Sequence, residues 1–132
     1  MNVFVFEDPE MVARRGAEFV AGHAREAITA RGRFSVAFSG GTTPWRMLSA
    51  LADEAGSWPE VQVFQTDERA VSESDPQRSW TKLRETLVSR VPVPPGNLHA
   101  MPVEGGDLAV ACRAYETALQ EHAGAPPALD LV

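Results

Sequence analysis

The amino-acid sequence predicts an α/β domain in which a mostly parallel sheet carries helices on both faces. Short β-type segments alternate along the chain with longer segments of helical periodicity, an alternation typical of βαβ units. The 132 residues suffice for one compact domain. The shares of hydrophobic residues, 44%, and of charged residues, 23%, are those of a globular protein.

Each predicted element rests on apolar periodicity and on the turns that flank it. Strands are predicted over residues 3–6, 34–38 and 61–65, with a short extended piece over 97–101 and the opening of a further strand over 129–132. Helices are predicted over residues 9–30, 45–55, 79–90 and 107–122. Asp8 suits the N-cap of the first helix, Pro9 suits its first turn, and Gly32 follows its end.

Composition argues against several classes of protein. The formal net charge of −6 argues against a general nucleic-acid binder, which usually carries a basic surplus. No apolar run approaches the ~18 residues of a membrane-spanning helix, so we expect no membrane association. The first residues lack the basic start of a signal peptide, and we therefore expect a cytoplasmic protein.

Several single residues that can carry chemistry have simpler structural explanations. Cys112 is the only cysteine, which excludes an intrachain disulfide, and its helical spacing from apolar neighbours predicts a buried thiol. His23, His99 and His122 lack metal-ligand spacing, so we expect no metal site. His99 is expected to be structural, because the sequence indicates no residue that orients its ring. Trp80 is expected in the core.

Residues 39–44, which read Ser-Gly-Gly-Thr-Thr-Pro, join a predicted strand to a predicted helix. Gly40 and Gly41 lack side-chain bulk, so the backbone there can approach a ligand closely. The helix directs its free N–H groups toward this loop, and Thr42 and Thr43 add hydroxyl donors. These groups suit a phosphate or a developing oxyanion; the alternative is an ordinary strand-to-helix turn. The spacing matches neither a Walker A motif nor a dinucleotide fingerprint.

A second polar segment, Thr66-Asp67-Glu68-Arg69, follows the strand over residues 61–65. The planar guanidinium of Arg69 can hold a phosphate, and Asp67 can position a water or a substrate hydroxyl. The alternative is a solvated loop with a local ion pair. Because ligands of such sheets bind at the carboxyl ends of the strands, we expect both polar segments at one edge of the sheet.

Five segments occur in the order and spacing of the 6-phosphogluconolactonases. They are Ser-Gly-Gly-Thr-Thr-Pro at 39–44, Asp-Glu-Arg at 67–69, Asp-Pro at 75–76, Val-Pro-Val-Pro-Pro-Gly-Asn-Leu-His at 91–99 and Ala-Leu-Asp-Leu-Val at 128–132. The chain therefore resembles this family over nearly its whole length. The family shares one sugar-phosphate fold with the glucosamine-6-phosphate deaminases, and the resemblance implies a Rossmann-like α/β fold.

The resemblance also implies a reaction and a site. The reaction is hydrolysis of 6-phospho-D-glucono-1,5-lactone to 6-phosphogluconate, in the oxidative pentose phosphate pathway of carbohydrate metabolism. The implied partner is a small-molecule sugar phosphate, and no cofactor or metal is implied. Asp67 takes a supporting polar role. The implied substrate- and phosphate-binding residues are Ser39, Gly40, Gly41, Thr42, Thr43 and Arg69.

Two departures from the family pattern bear on this interpretation. Arg78-Ser79-Trp80 stands where the family usually has Ser-Asn-Tyr, so one amide is lost. The family's Leu-Asp-Leu-Val strand leads into a Gly-x-Asp-Gly-His segment whose histidine is the expected general base, and this sequence has no counterpart. We therefore interpret residues 1–132 as the N-terminal part of a single sugar-phosphate lactonase/isomerase-like α/β domain, truncated at its C-terminus. The base is expected beyond Val132, and the 132-residue chain alone is expected to be inactive and to expose apolar surface.

Three alternatives stand beside the lactonase. One is a glucosamine-6-phosphate deaminase or isomerase of the same fold. Another is a non-catalytic module that binds sugar phosphates, and the third is an α/β domain with no phosphate site. The arginine that follows Asp67-Glu68 favours the lactonase over the deaminase.

Overall fold

The computed structural model describes residues 3–132, which form helices and strands in the predicted order. The helices are α1 (Pro9–Arg31), α2 (Thr42–Leu51), α3 (Ser79–Thr86) and α4 (Leu108–Ala123). The strands are β1 (Phe34–Phe38), β2 (Val61–Gln65) and β3 (Leu98–His99). Single 3-10 turns lie in the connections, at Trp58–Glu60, Val88–Arg90, Pro95–Asn97 and Val103–Gly105.

The three strands run parallel in the order β1-β2-β3. Val36 of β1 lies opposite Val63 of β2, which in turn lies opposite Leu98 of β3. On the other side of β1, Leu131 forms a parallel bridge with Val36. The predicted opening of a strand over 129–132 is thus a parallel pairing with β1, and the carboxyl ends of β1 and β2 lie side by side.

Side chains of β1 alternate between two apolar clusters on opposite faces of the sheet. Phe34, Val36 and Phe38 belong to the larger cluster, which includes buried residues of α1, α2 and α3. Ala37 lies in the second cluster with Phe64 of β2 and with residues of α4. The prediction of helices on both faces is therefore confirmed.

The ends of α1 follow the predicted chemistry. The Asp8 carboxylate accepts a hydrogen bond from the N–H of Met11 at 2.7 Å, and Pro9 occupies the first turn. Gly32 adopts φ +73° after the last turn and donates its N–H to the carbonyl of Ile28. A left-handed residue at this position is typically glycine, because it lacks a Cβ.

Two predicted elements differ in the structure. Residues 3–6 do not form a strand, and Val3, Phe4 and Val5 are exposed. Strand propensity depends on burial and on a partner strand, and within the described residues β1 pairs instead with β2 and with Leu131. Helix α2 starts at Thr42, three residues earlier than expected, because a helix tolerates proline in its first turn.

The predicted burial of Cys112 is wrong, because its thiol is exposed. Only the second half of α4 packs closely on the sheet, through Tyr115, Leu119 and Ala123. Leu108, in the first turn of α4, is half exposed. The predicted helix is confirmed, but helical periodicity does not show how much of a helix the rest of the fold covers.

Apolar surface remains exposed elsewhere, as the sequence predicts. Phe4 is 76% exposed and Phe19, on α1, is 58% exposed. These two side chains line a groove of about 540 Å³ together with Phe38 and Leu131. In residues 3–132, no helix has the combination of length and apolar character required to cross a membrane.

Candidate functional site

The loop between β1 and α2 forms the first wall of the candidate site. Gly41 is the N-cap of α2 and adopts φ +128° and ψ 165°, a region that is essentially restricted to glycine. The first N–H groups of a helix have no partner within the helix, so those of Thr42 and Thr43 remain available at its N-terminus. Both threonines are exposed. This arrangement presents backbone and hydroxyl donors to solvent.

Gly40 lies against the N-terminus of α3. A Cβ at this position would be 2.7 Å from Oγ of Ser79 and 3.3 Å from the ring of Trp45. The absence of a side chain at residue 40 therefore lets the loop approach α3. Ser79 occupies the position of the asparagine expected from the resemblance, so this serine lies beside the glycine loop.

The segment after β2 forms the second wall. The N–H of Thr66 donates to the carbonyl of Phe38 at 3.1 Å, which extends the pairing of β1 and β2 by one bond. The Oγ atoms of Ser39 and Thr66 are 2.9 Å apart and share a hydrogen bond. Ser39 and Thr66 are 27 residues apart in sequence, so two distant polar segments meet at the carboxyl ends of adjacent strands.

Asp67 and Arg69 present their side chains at this edge. Both residues are exposed. Within the described residues, the guanidinium of Arg69 forms no ion pair, and Asp67 accepts only a long hydrogen bond, 3.4 Å, from Oγ1 of Thr66. An exposed arginine after β2, at the same edge of the sheet as the N-terminus of α2, makes the edge suitable for an anionic group.

Glu68, between these two exposed residues, has a fully buried side chain. Its Oε1 accepts the N–H groups of Arg69 at 2.7 Å and of Ser79 at 2.9 Å. Its Oε2 accepts the N–H of Trp80 and the amide of Gln65, both at 2.8 Å. The carboxylate thus caps α3 from eleven residues earlier in the chain.

These hydrogen bonds determine the charge state of Glu68. Burial raises the pKa of the carboxyl, whereas hydrogen bonds from Gln65, Ser79, Arg69 and Trp80 lower it. The hydrogen bonds outweigh burial, and the pKa lies below its usual value. Glu68 is therefore an ionised acceptor at neutral pH.

Arg78 lies beneath the site and is also buried, with a side chain 2% exposed. Its Nε is 3.4 Å from the Glu68 carboxylate, and its Nη2 is 2.6 Å from the carboxylate of Glu104. Nη2 also donates to the carbonyl of Met101 at 3.2 Å. Gln65 adds a further bond, because its Oε1 accepts the N–H of Met101 at 3.0 Å. This polar network joins the chain segments that follow β2 and β3.

Comparison with known proteins places the chain in a family. Residues 7–132 match the family model described as glucosamine-6-phosphate isomerases/6-phosphogluconolactonase. The chain belongs to this family. The 6-phosphogluconolactonase of Nostoc sp. (strain PCC 7120) is 34% identical over 135 residues, which cover 99% of this chain and 56% of the relative. The 6-phosphogluconolactonase of Mycobacterium tuberculosis is 30% identical over 124 residues, which cover 89% of this chain and 50% of the relative. The chain thus spans about half the length of the curated relatives it matches.

Solved structures have the same fold. The 6-phosphogluconolactonase from Thermotoga maritima superposes with a TM-score of 0.82 at 24% identity, over 89% of this chain and 53% of that protein. A monomeric glucosamine-6-phosphate deaminase superposes with a TM-score of 0.81 at 19% identity, over 94% of this chain and 52% of that protein. At these identities the likeness establishes the fold, and it does not separate the lactonase from the deaminase.

Within the glucosamine-6-phosphate isomerase/6-phosphogluconolactonase family fold, the structure brings the predicted site residues to one edge of the sheet. Trp80 is buried, as predicted, and it packs in the larger core. Sequence reasoning missed the roles of Gln65, Glu68 and Arg78. Gln65, the last residue of β2, and Glu68, just after it, carry one signal in the sequence, because polar side chains at the end of a buried strand require partners if they are buried.

The histidines contact other parts of the fold. His99 is buried, as a structural role requires, but its ring is oriented by a 2.8 Å hydrogen bond to Oε1 of Gln62, a partner that the sequence did not reveal. Its ring stacks between Phe64 and His122. Burial lowers the pKa of His99 to about 4, and His122 contributes to the shift. His23 packs against Phe19 on α1.

No group of three or more His, Cys, Asp or Glu side chains suited to a metal ion occurs in the part of the chain that the structure describes. The donors at the candidate site are mainly N–H groups, hydroxyls and a guanidinium. Such donors suit an anion, and only Asp67 offers an exposed carboxylate there.

Proposed function

We propose that the chain forms the substrate-binding part of a 6-phosphogluconolactonase, which hydrolyses 6-phospho-D-glucono-1,5-lactone to 6-phosphogluconate. The observation that carries this proposal is the 2.9 Å contact between the hydroxyls of Ser39 and Thr66. This contact joins the Gly-Gly-Thr-Thr loop to the Asp-Glu-Arg segment in a single anion-binding edge. The names of the curated relatives support the reaction.

The chemistry of the edge fits a sugar phosphate. The N–H groups at the start of α2, the hydroxyls of Thr42 and Thr43, and the guanidinium of Arg69 bind oxyanions of the phosphate or of the tetrahedral intermediate. Asp67 accepts a hydrogen bond from a sugar hydroxyl or from water. These groups bind and orient a substrate, and they account for affinity and stereochemistry.

Lactone hydrolysis needs one further group. Water attacks the C1 carbonyl and gives a proton to a general base; the ring C–O bond then breaks, and the ring oxygen takes a proton. In residues 3–132, the partners of His99 are Gln62, Phe64 and His122, and none of these belongs to the two site loops. We therefore propose that the base is a histidine in a segment following Val132, and that residues 1–132 are the N-terminal part of one lactonase/isomerase-like domain that acts in the cytoplasm.

Calorimetric titration of the 132-residue chain tests the binding part of this proposal. We expect saturable binding of 6-phosphogluconate, with weaker binding of glucosamine 6-phosphate. Arg69→Gln is expected to weaken the affinity about tenfold, because one charged hydrogen-bonding group is lost. Arg84→Gln is the matched control and should bind as the unaltered chain does, because Arg84 lies on the exposed side of α3 and its ion-pair partner among residues 3–132 is Glu73.

Two results would contradict the proposal. Equal affinity of the Arg69→Gln variant and the unaltered chain would remove Arg69 from the site. Preference for glucosamine 6-phosphate would instead favour the deaminase, and release of ammonia from that sugar by a longer chain would identify it.

A further inference from the structure

Two segments of the candidate site are held by one buried carboxylate. Glu68 accepts the N–H of Arg69 in the second wall of the site and the N–H groups of Ser79 and Trp80 at the start of α3. Ser79 in turn contacts the first wall, because its Oγ lies 2.7 Å from the position that a Cβ of Gly40 would take. Glu68 therefore links the second wall to α3 by hydrogen bonds, and Ser79 lies at the point where α3 approaches the first wall.

Within the described residues, the intervening chain gives Arg69 and Ser79 no shared hydrogen-bond partner. Residues 70–77 are mostly exposed and contain no helix or strand. Exposed loops with few packed contacts are the mobile parts of proteins. Glu73 in this loop bonds Thr81 and Arg84 of α3. Glu68 is the side chain that binds both Arg69 and Ser79 directly.

Arg78 fixes Glu68 from the other side. It pairs with the Glu68 carboxylate at 3.4 Å and with Glu104 at 2.6 Å, and it donates to the carbonyl of Met101. It attaches the start of α3 to the segment that follows β3.

We propose that Glu68 is the positioning residue of the site and that Arg78 holds it in place: together they set the distance between Arg69 and the Gly40 loop. The ligand-binding consequence rests on the proposed function. The effect on the distance between Arg69 and the Gly40 loop does not rest on the proposed function, since it concerns the backbone of the free protein.

The test compares Glu68→Gln with two controls in the 132-residue chain. A carboxylate has two acceptor oxygens, whereas the amide of glutamine has one acceptor oxygen and one NH₂ donor. In Glu68→Gln the NH₂ group therefore faces backbone N–H donors, and the hydrogen bonds that the replaced oxygen accepted are lost. Glu73→Gln removes a similar charge from the exposed loop, where Glu73 pairs with Arg84. Val61→Ala truncates a buried side chain at the opposite end of β2 and lowers stability without touching the network.

We expect Glu68→Gln to weaken 6-phosphogluconate binding about tenfold, the equivalent of one charged hydrogen bond. Glu73→Gln and Val61→Ala should change the affinity less than about twofold at a temperature where every variant is folded. A loss of affinity in Val61→Ala equal to that in Glu68→Gln would overturn the proposal, because affinity would then follow stability alone.

Backbone amide NMR of the free protein gives the second readout. Glu68→Gln should shift the resonances of Arg69, Ser79 and Gly40 and speed amide exchange at Ser79 and Trp80. An unchanged Gly40 resonance would overturn the proposal, whatever the affinity. If the unaltered chain does not bind 6-phosphogluconate, the proposed function fails, while the NMR comparison still decides the positioning role.

Discussion

Replacing Gly41 with alanine isolates the cost of the backbone conformation that opens α2. Gly41 has φ +128° and ψ 165°, and the nearest atoms to an added Cβ belong to Pro44 at 3.6 and 3.9 Å. These are ordinary van der Waals distances, so steric crowding adds little. The free energy of unfolding should therefore fall mainly because alanine, an L-residue, is strained in a backbone region that only glycine adopts readily, at a cost of about 1–3 kcal/mol.

The expected change is measurable by calorimetric or urea unfolding. A chain of this size loses about 4 °C in Tm per kcal/mol, so Gly41→Ala should lower Tm by about 4–12 °C. Gly22→Ala is the control, because Gly22 lies inside α1 with open space around the position of a Cβ. That variant should gain about 0.5–1 kcal/mol in unfolding free energy. A Gly41→Ala protein as stable as the unaltered chain would refute the argument that this turn requires glycine.

Three further predictions concern Gly40, His99 and Tyr115. Gly40→Ala should change the unfolding free energy by less than about 1 kcal/mol, because the Ser79 hydroxyl can rotate away, yet it should weaken 6-phosphogluconate binding in calorimetric titration. Burial lowers the pKa of His99 to about 4, so the unfolded chain binds a proton at this residue more tightly than the folded chain does. The free energy of unfolding should therefore fall by up to about 3 kcal/mol as the pH decreases from about 6.5 towards 4. Urea unfolding at about pH 7 and about pH 5 measures this, and His99→Asn should reduce the dependence. Tyr115→Phe should cost about 1–3 kcal/mol in urea unfolding, since its hydroxyl bonds both the N–H and the carbonyl of Gln65 at 2.8 Å; unchanged stability would contradict that assignment.

The elements that local patterns specify could be predicted from the sequence. The five-residue strands β1 and β2, which are rich in Val and Phe, have the predicted bounds. The caps of α1, Asp8 and Gly32, act through neighbours within four residues. Both polar site segments follow strands, and parallel pairing alone brings the ends of those strands together.

Features that depend on distant contacts could not be predicted in the same way. The exposure of Cys112 depends on which part of α4 other elements cover, and the periodicity of the helix does not specify this. The residues 3–6 have strand propensity but no described partner. The burial of Glu68 depends on helix α3, whose first N–H groups bind its carboxylate. The burial of Arg78 depends on the segment after β3, through Glu104 and the carbonyl of Met101. Local sequence shows two charged residues there and gives no indication of their pairing.

The most direct test of the central claim, that the two polar segments form one sugar-phosphate site, is an NMR titration of the ¹⁵N-labelled chain with 6-phosphogluconate. Saturable shifts should concentrate at Gly40, Gly41, Thr42 and Arg69, with a single dissociation constant for all four resonances. Saturable shifts confined to another part of the surface, or separate dissociation constants for the loop after β1 and the segment after β2, would contradict it.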